Sequence, residues 1–168
     1  ESTANRINNA LDAIEDRLGN ARGHESGADY NQSWVILEAV LKQDSAVFKA
    51  VTGFGKTRQV IPEVAALQLA VDEITGRPPR AILIMFDKPG KVTEFVNDFA
   101  LGSEIEIARK MGLSDGDVMI ITQDTPPDAV KLQKAKVIIA SQEIIYKSVF
   151  SDQFSRQVTS KLDGAVVL

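Results

Sequence analysis

The stretch of sequence that decides the fold is residues 46–57, which read AVFKAVTGFGKT. Its first part, Ala46–Ala50, is short and mostly apolar, which favours a β-strand. The glycine-containing segment that follows predicts a tight loop, because glycine adopts backbone conformations that other residues avoid. A helical pattern comes next along the chain. We therefore predict a strand, a loop and a helix in immediate succession.

Further apolar runs predict four more strands, separated by segments long enough for helical crossovers. Each run is nearly continuous rather than alternating, which is typical of strands buried on both faces of a parallel sheet. An apolar stripe in residues 92–99 and a capping-box pattern at Ser103 and Glu106 predict two intervening helices. The fold class is therefore α/β, a mostly parallel sheet with helices on both faces. The four runs are Ala81–Phe86, Val118–Thr122, Val137–Ser141 and Ala165–Leu168.

The residues before this pattern form a separate predicted element. Apolar side chains recur at helical spacing near the amino terminus, which predicts an amphipathic helix. A second helix, of about three turns, is predicted from Ser33 onward by the same criterion. We predict that residues 1–22 are an amphipathic helix and linker and that residues 23–168 form one α/β domain. The stripe of the first helix consists of Ile7, Leu11, Ile14 and Leu18.

Composition excludes several kinds of site. The 168 residues are 44% apolar and 25% charged, as in folded domains. With 19 basic and 23 acidic residues the net charge is −4, which argues against a strongly basic nucleic-acid coat protein. The chain has no cysteine and one histidine, His24, which excludes disulfides, thiolate zinc sites and multi-histidine metal sites. No apolar run approaches the ~20 residues of a membrane span, and no signal-peptide pattern opens the sequence, so we expect a cytoplasmic location.

The loop after the first predicted strand has the residues of a phosphate-binding site. Gly53 and Gly55 allow the backbone to approach a phosphate closely, and successive amide N–H groups then point at the anion. Lys56 is placed to reach the β- and γ-phosphates, and the Thr57 hydroxyl to hold Mg²⁺, so we expect both to be catalytic. Arg58 either touches the nucleotide or lies in solvent on the following helix. The predicted nucleotide contacts in this loop are Thr52, Gly53, Phe54, Gly55, Lys56, Thr57 and Arg58.

The form A-x-x-G-x-G-K-T, with Ala50 in place of the usual first glycine, resembles motif I of the superfamily 1 and 2 helicases and translocases (DEAD/DEAH-type motor ATPases). In that family an upstream glutamine, often after an aromatic residue, reads the adenine, and Tyr30 and Gln32 stand in a similar arrangement. A glutamine amide can both donate to and accept from adenine. The resemblance spans residues 30–168. It implies a RecA-like P-loop NTPase domain that binds ATP and Mg²⁺ and works on DNA or RNA.

Later segments match the motifs of that family only in part. Lys88 lies near the position of motif Ia, and Thr122 follows the third predicted strand. Residues 136–145 resemble the strand and turn that touch the nucleic-acid backbone, with Ser141 in place of the family's threonine and no Pro-Gly-Arg after it. The resemblance implies nucleic-acid contacts by Lys88, Thr122, Ser141 and Gln142. Because parallel strands share one carboxyl edge, we expect these residues to lie along that edge.

Residues 163–168 resemble the strand that leads into motif II, whose carboxylates hold Mg²⁺ and orient water in that family. The sequence ends at Leu168, before such carboxylates, so we expect a longer parent chain with a second RecA-like domain. We likewise expect no ATP hydrolysis by these 168 residues alone. Two alternatives stay open. One is a motor of similar fold that moves polypeptide, like the protein-translocation ATPase of secretion, and the other is a non-catalytic module with ATP as a structural ligand.

Overall fold

The computed structural model describes residues 1–18, 36–42, 60–125, 128–149 and 155–168. Two compact units divide the chain, Glu1–Pro79 and Arg80–Leu168. None of the described helices is long and apolar enough to cross a membrane.

The described part of the first unit is helical. Helix α1, Thr3–Arg17, begins after Ser2, whose hydroxyl accepts a hydrogen bond from the Asn5 N–H at 3.2 Å. Residues 36–42 form helix α2, within the predicted second helix, and helix α3 spans Ile61–Thr75. The predicted amphipathic stripe is confirmed by the burial of Ile7 and Ile14, and α1 packs against α3.

Helix α3 is mostly buried, and its ends follow from local chemistry. Pro62 lies in the first turn, where its missing N–H has no intrahelical acceptor to lose. The helix ends at Gly76, whose φ of 68° is the left-handed conformation that glycine adopts without steric cost. Two buried polar side chains satisfy each other, since Gln68 Nε2 donates to Asp72 Oδ1 at 3.0 Å. Arg77 lies 3.8 Å from the same oxygen and adds a charged partner.

The second unit contains a four-stranded sheet in which every pairing is parallel. The strand order is β2-β3-β1-β4, so β3 and β1 are central among the described strands. The predicted parallel sheet is confirmed for these four strands, and the predicted strand Ala46–Ala50 lies outside the described residues. The strands are β1 (Ile82–Phe86), β2 (Val118–Ile121), β3 (Val137–Ser141) and β4 (Val166–Val167). The helices are α4 (Pro89–Ala100), α5 (Glu104–Lys110), α6 (Ala129–Lys134), α7 (Gln142–Val149) and α8 (Ser155–Leu162).

Helices cover both faces of this sheet, as the continuous apolar strands predict. Successive strand side chains point to opposite faces. On one face Leu83 and its neighbours pack with residues of α6, α7 and α8 in a single buried cluster. On the other face Phe86 meets Phe95 of α4 at a ring separation of 5.3 Å, and Phe95 stacks on Phe99 at the same separation. The predicted apolar stripe of α4 is thus the face that packs on the sheet.

Candidate functional site

The residues predicted to bind the nucleotide lie outside the described residues. They are Tyr30, Gln32 and the loop residues 52–58, which include the predicted catalytic Lys56 and the predicted Mg²⁺ ligand Thr57. Within the described ranges, no three histidine, aspartate or glutamate side chains lie close enough together to hold a metal ion. The site geometry that the structure does give is that of the carboxyl edge of the sheet, where four further predicted residues lie.

The carboxyl ends of β2, β3 and β1 follow one another along this edge. Ile121 pairs with Ala140, and Phe86 pairs with Ser141, so the strands end at nearly the same level. Neighbouring strands lie ~4.8 Å apart, which puts the ends of all three within about 10 Å. The structure therefore brings the segments that hold Lys88, Thr122, Ser141 and Gln142 to one edge, as the sequence leads us to expect. Their role as nucleic-acid contacts stays a prediction.

The end of β1 carries a charge pair and an exposed lysine. Lys91 Nζ lies 2.8 Å from Asp87 Oδ1, one helical turn away, and both side chains are about half exposed. The hydrogen bond from Lys91 holds the pKa of Asp87 below its usual value. Lys88 occupies the N-cap position of α4 in an extended conformation, with an exposed side chain and no capping hydrogen bond from it. Lys88 therefore contributes an exposed cation to the edge.

The end of β2 is a tight turn between two threonines. The Thr122 and Thr125 hydroxyl oxygens lie 2.6 Å apart, and the Thr125 N–H donates to Thr122 Oγ1 at 3.1 Å. The Thr122 N–H reaches both the carbonyl and the hydroxyl oxygen of Thr125 at 3.3 Å. The two hydroxyls are occupied with each other, and the turn exposes Gln123, Asp124 and Thr125.

The end of β3 joins directly to helix α7, and Ser141 makes the junction. Ser141 is 1% exposed, and its hydroxyl accepts a hydrogen bond from the Ile144 N–H at 3.2 Å. This is an N-cap interaction, which satisfies one of the amides that a helix start leaves without a backbone partner. Gln142, the first residue of α7, is exposed. Of these two predicted contacts, Gln142 is the one whose side chain lies at the surface.

Two residues of this edge were not predicted from the sequence, although the spacing of each from a neighbouring polar residue is informative. Lys91 follows Asp87 at i+4, the spacing of a helical ion pair, and Thr125 follows Thr122 at i+3, the spacing of a side-chain-closed turn. A further pair on α7, Glu143 and Lys147, is 2.5 Å apart. The edge is thus mixed in charge rather than strongly basic.

Comparison of the chain with known protein families, with curated proteins and with solved structures gives no match.

Proposed function

We propose that this chain is the ATP-binding domain of a helicase- or translocase-like motor, which couples ATP hydrolysis to movement on DNA or RNA. The observation that carries the proposal is the sequence Ala50–Thr57, AVTGFGKT, placed after a predicted strand and before a helix. Helix α3 supports it, since Ile61 is the fourth residue after Thr57. A phosphate loop needs such a helix close behind it. Lys56 would then bind the β- and γ-phosphates and Thr57 the Mg²⁺, with Gln32 and Tyr30 at the adenine.

The parallel sheet supports a RecA-like architecture, because ligands of open parallel sheets bind at the carboxyl edge. Lys88 and Gln142 are exposed on that edge. A cation and an amide suit the phosphates and sugars of a nucleic-acid backbone. We assign the polymer contacts to these two residues, while the Thr122 hydroxyl serves its turn and Ser141 acts through the start of α7.

Nucleotide binding by the 168-residue chain tests the first part of the proposal. Titration with a fluorescent ATP analogue and Mg²⁺ compares the wild type with Lys56→Ala and with Lys42→Ala. Lys42 is an exposed lysine on α2 that pairs with Glu38, so it controls for the loss of one positive charge. Because a hydrogen bond to a charged group is worth about 1.5–3 kcal/mol, Lys56→Ala should weaken binding about 10- to 100-fold. Wild-type affinity in Lys56→Ala would refute the phosphate loop.

Polymer binding tests the second part. Fluorescence anisotropy with labelled single-stranded DNA and RNA compares the wild type with Lys88→Ala over a range of salt concentrations. Loss of one phosphate contact should lower the affinity for every sequence and reduce the salt dependence by about one ion. Identical salt dependence in the two proteins would remove Lys88 from the interface.

A motor that moves polypeptide is the second candidate, and two observations favour it. The Pro-Gly-Arg residues of the nucleic-acid motif are missing after Ser141, and the edge has mixed charge. An unfolded polypeptide separates the two candidates. It is added unlabelled as a competitor of DNA and RNA in the same anisotropy experiment, and its own binding is measured with a fluorescent label. Binding of labelled polypeptide in the absence of any DNA or RNA binding would select this second function.

A further inference from the structure

The outer edge of β2 has the composition of a segment that recruits further strands. β2 stands at one end of the order β2-β3-β1-β4, so it pairs with β3 alone among the described strands. Its residues Val118–Ile121 read VMII, without charge or proline. Short segments of this kind pair readily with identical segments from other chains when their backbone groups are accessible.

Two of the backbone N–H groups on that outer edge are already bonded within the chain. The Asp117 carbonyl accepts the Val137 N–H at 2.9 Å, so Asp117 faces β3. Since backbone groups alternate along a strand, the N–H groups of Val118, Ile120 and Thr122 face away from β3. The Ile120 N–H donates to Glu104 Oε1 at 2.9 Å. The Thr122 N–H is held by Thr125 in the turn described above.

We propose that Glu104 and Thr125 close the outer edge of β2 against strand addition, and that without Glu104 this edge pairs with β2 of a second copy of the chain. An added strand needs the outward N–H groups at alternate positions, and those of Ile120 and Thr122 are taken. Glu104 also places a carboxylate on the edge, so two copies aligned along β2 would bring like charges together. The partner is a second copy because VMII is an uncharged segment that matches itself.

Glu104 and Glu106 form a matched pair for the test. Both carboxylates lie in the first turn of α5, but Glu106 bonds to Arg109 instead of to the sheet. The molar mass of the 168-residue chain is measured by light scattering over a concentration series for Glu104→Ala, Glu106→Ala and Glu104→Gln. Hydrogen exchange at the Ile120 amide is followed in the same samples. Of the three variants, only Glu104→Ala should associate. Its Ile120 amide should also exchange hydrogen about ten-fold faster or more, because a hydrogen bond to a charged acceptor is lost. Glu104→Gln retains an acceptor oxygen and should behave as the wild type.

Two results would overturn the proposal. One is a Glu104→Ala protein that is folded and keeps the molar mass of the wild type at every concentration. The other is equal association of Glu104→Ala and Glu106→Ala, which would attribute the effect to the lost charge. If circular dichroism shows Glu104→Ala to be unfolded, Glu104→Asp decides. It keeps the charge at the helix start, but its side chain is one methylene shorter, so we expect its carboxylate to lose the hydrogen bond to the Ile120 N–H. Unchanged exchange at the Ile120 amide in Glu104→Asp would then refute the assignment.

Discussion

Replacement of Ser141 by alanine separates a structural role from a binding role at the carboxyl edge. The resemblance implies that this residue touches a polymer, whereas the structure shows its hydroxyl buried against the Ile144 N–H. If the hydroxyl serves α7, its removal lowers the free energy of unfolding. If it serves a polymer alone, its removal leaves that free energy unchanged.

The magnitude follows from the burial of both partners. Loss of a serine N-cap costs about 0.5–2 kcal/mol, and a buried donor left unsatisfied costs about 1–3 kcal/mol. Ser141 and Ile144 are 1% and 6% exposed, so water cannot replace the hydroxyl without rearrangement. We therefore expect Ser141→Ala to lower the free energy of unfolding by about 1–2 kcal/mol. For a chain of 168 residues that unfolds as a whole, this corresponds to a Tm lower by about 2–4 °C for each kcal/mol.

Thermal and urea unfolding followed by circular dichroism measure this effect. Ser141→Thr keeps a capping hydroxyl and should lose much less stability. Ser160→Ala removes a hydroxyl from the exposed side of α8, where changes usually stay within about 0.5 kcal/mol. Gln142→Ala should keep the stability of the wild type while weakening polymer binding. A Ser141→Ala protein as stable as Ser160→Ala would refute the capping role.

Three further perturbations have definite expected outcomes in denaturation experiments. Leu101 is 87% exposed and has a φ of 52°, a left-handed backbone conformation. Leu101→Gly should relieve backbone strain of about 1–2 kcal/mol at an entropic cost of about 0.5–1 kcal/mol, and so stabilise the protein. Leu101→Ala, which keeps a Cβ, should not raise the free energy of unfolding. Ile138 is fully buried in β3, so Ile138→Ala should lower the free energy of unfolding by about 2–5 kcal/mol. A smaller decrease would indicate that the core collapses around the cavity. The hydrogen bond from Lys91 lowers the pKa of Asp87 in the folded protein. The stability that this bond contributes is therefore complete above the ordinary pKa of aspartate, and it is lost as pH falls through the lowered pKa of Asp87. Unfolding free energies measured from neutral to acid pH should therefore converge for wild type and Lys91→Ala, and a constant difference would contradict this.

The positions of the four described strands were predictable because each coincides with a continuous apolar run in the sequence. β3 has the predicted bounds, Val137–Ser141, and among the described strands it alone is buried along its whole length. β4, Val166–Val167, lies within its predicted run, and Leu168 continues the pairing with β1, since its N–H donates to the Leu83 carbonyl at 2.8 Å. The order β2-β3-β1-β4 is not readable from the sequence, since it depends on how the crossovers pack and not on any local pattern.

The capping box at the start of α5 shows where local patterns stop being sufficient. The Ser103 hydroxyl accepts the Glu106 N–H at 3.4 Å, as predicted, and Gly112 follows the helix with a φ of 70°. The return bond of the box is replaced, because the Glu106 carboxylate bonds to Arg109 and the Ser103 N–H donates to the Ala100 carbonyl. Glu104, which has no role in that pattern, instead bonds to a strand 16 residues later. Which partner a polar side chain bonds to therefore depends on the groups that the tertiary fold brings close to it, as well as on its neighbours in sequence.

The same reasoning explains why the sequence predicts which residues lie at the carboxyl edge of the sheet but not which of their side chains reach solvent. The residue that ends β3 points inward and serves the next helix, so Ser141 is buried and Gln142 is the first side chain to reach solvent. At the end of β2 the Thr122 hydroxyl is occupied within its turn, and Gln123 is exposed. The exposed side chains of the edge therefore include the amides of Gln123 and Gln142, the lysine Lys88 and the two ion pairs described above. A polymer that binds at this edge is offered hydrogen-bond donors and acceptors from neighbouring strand ends. The net charge of the edge is small, so long-range electrostatic attraction contributes little to binding.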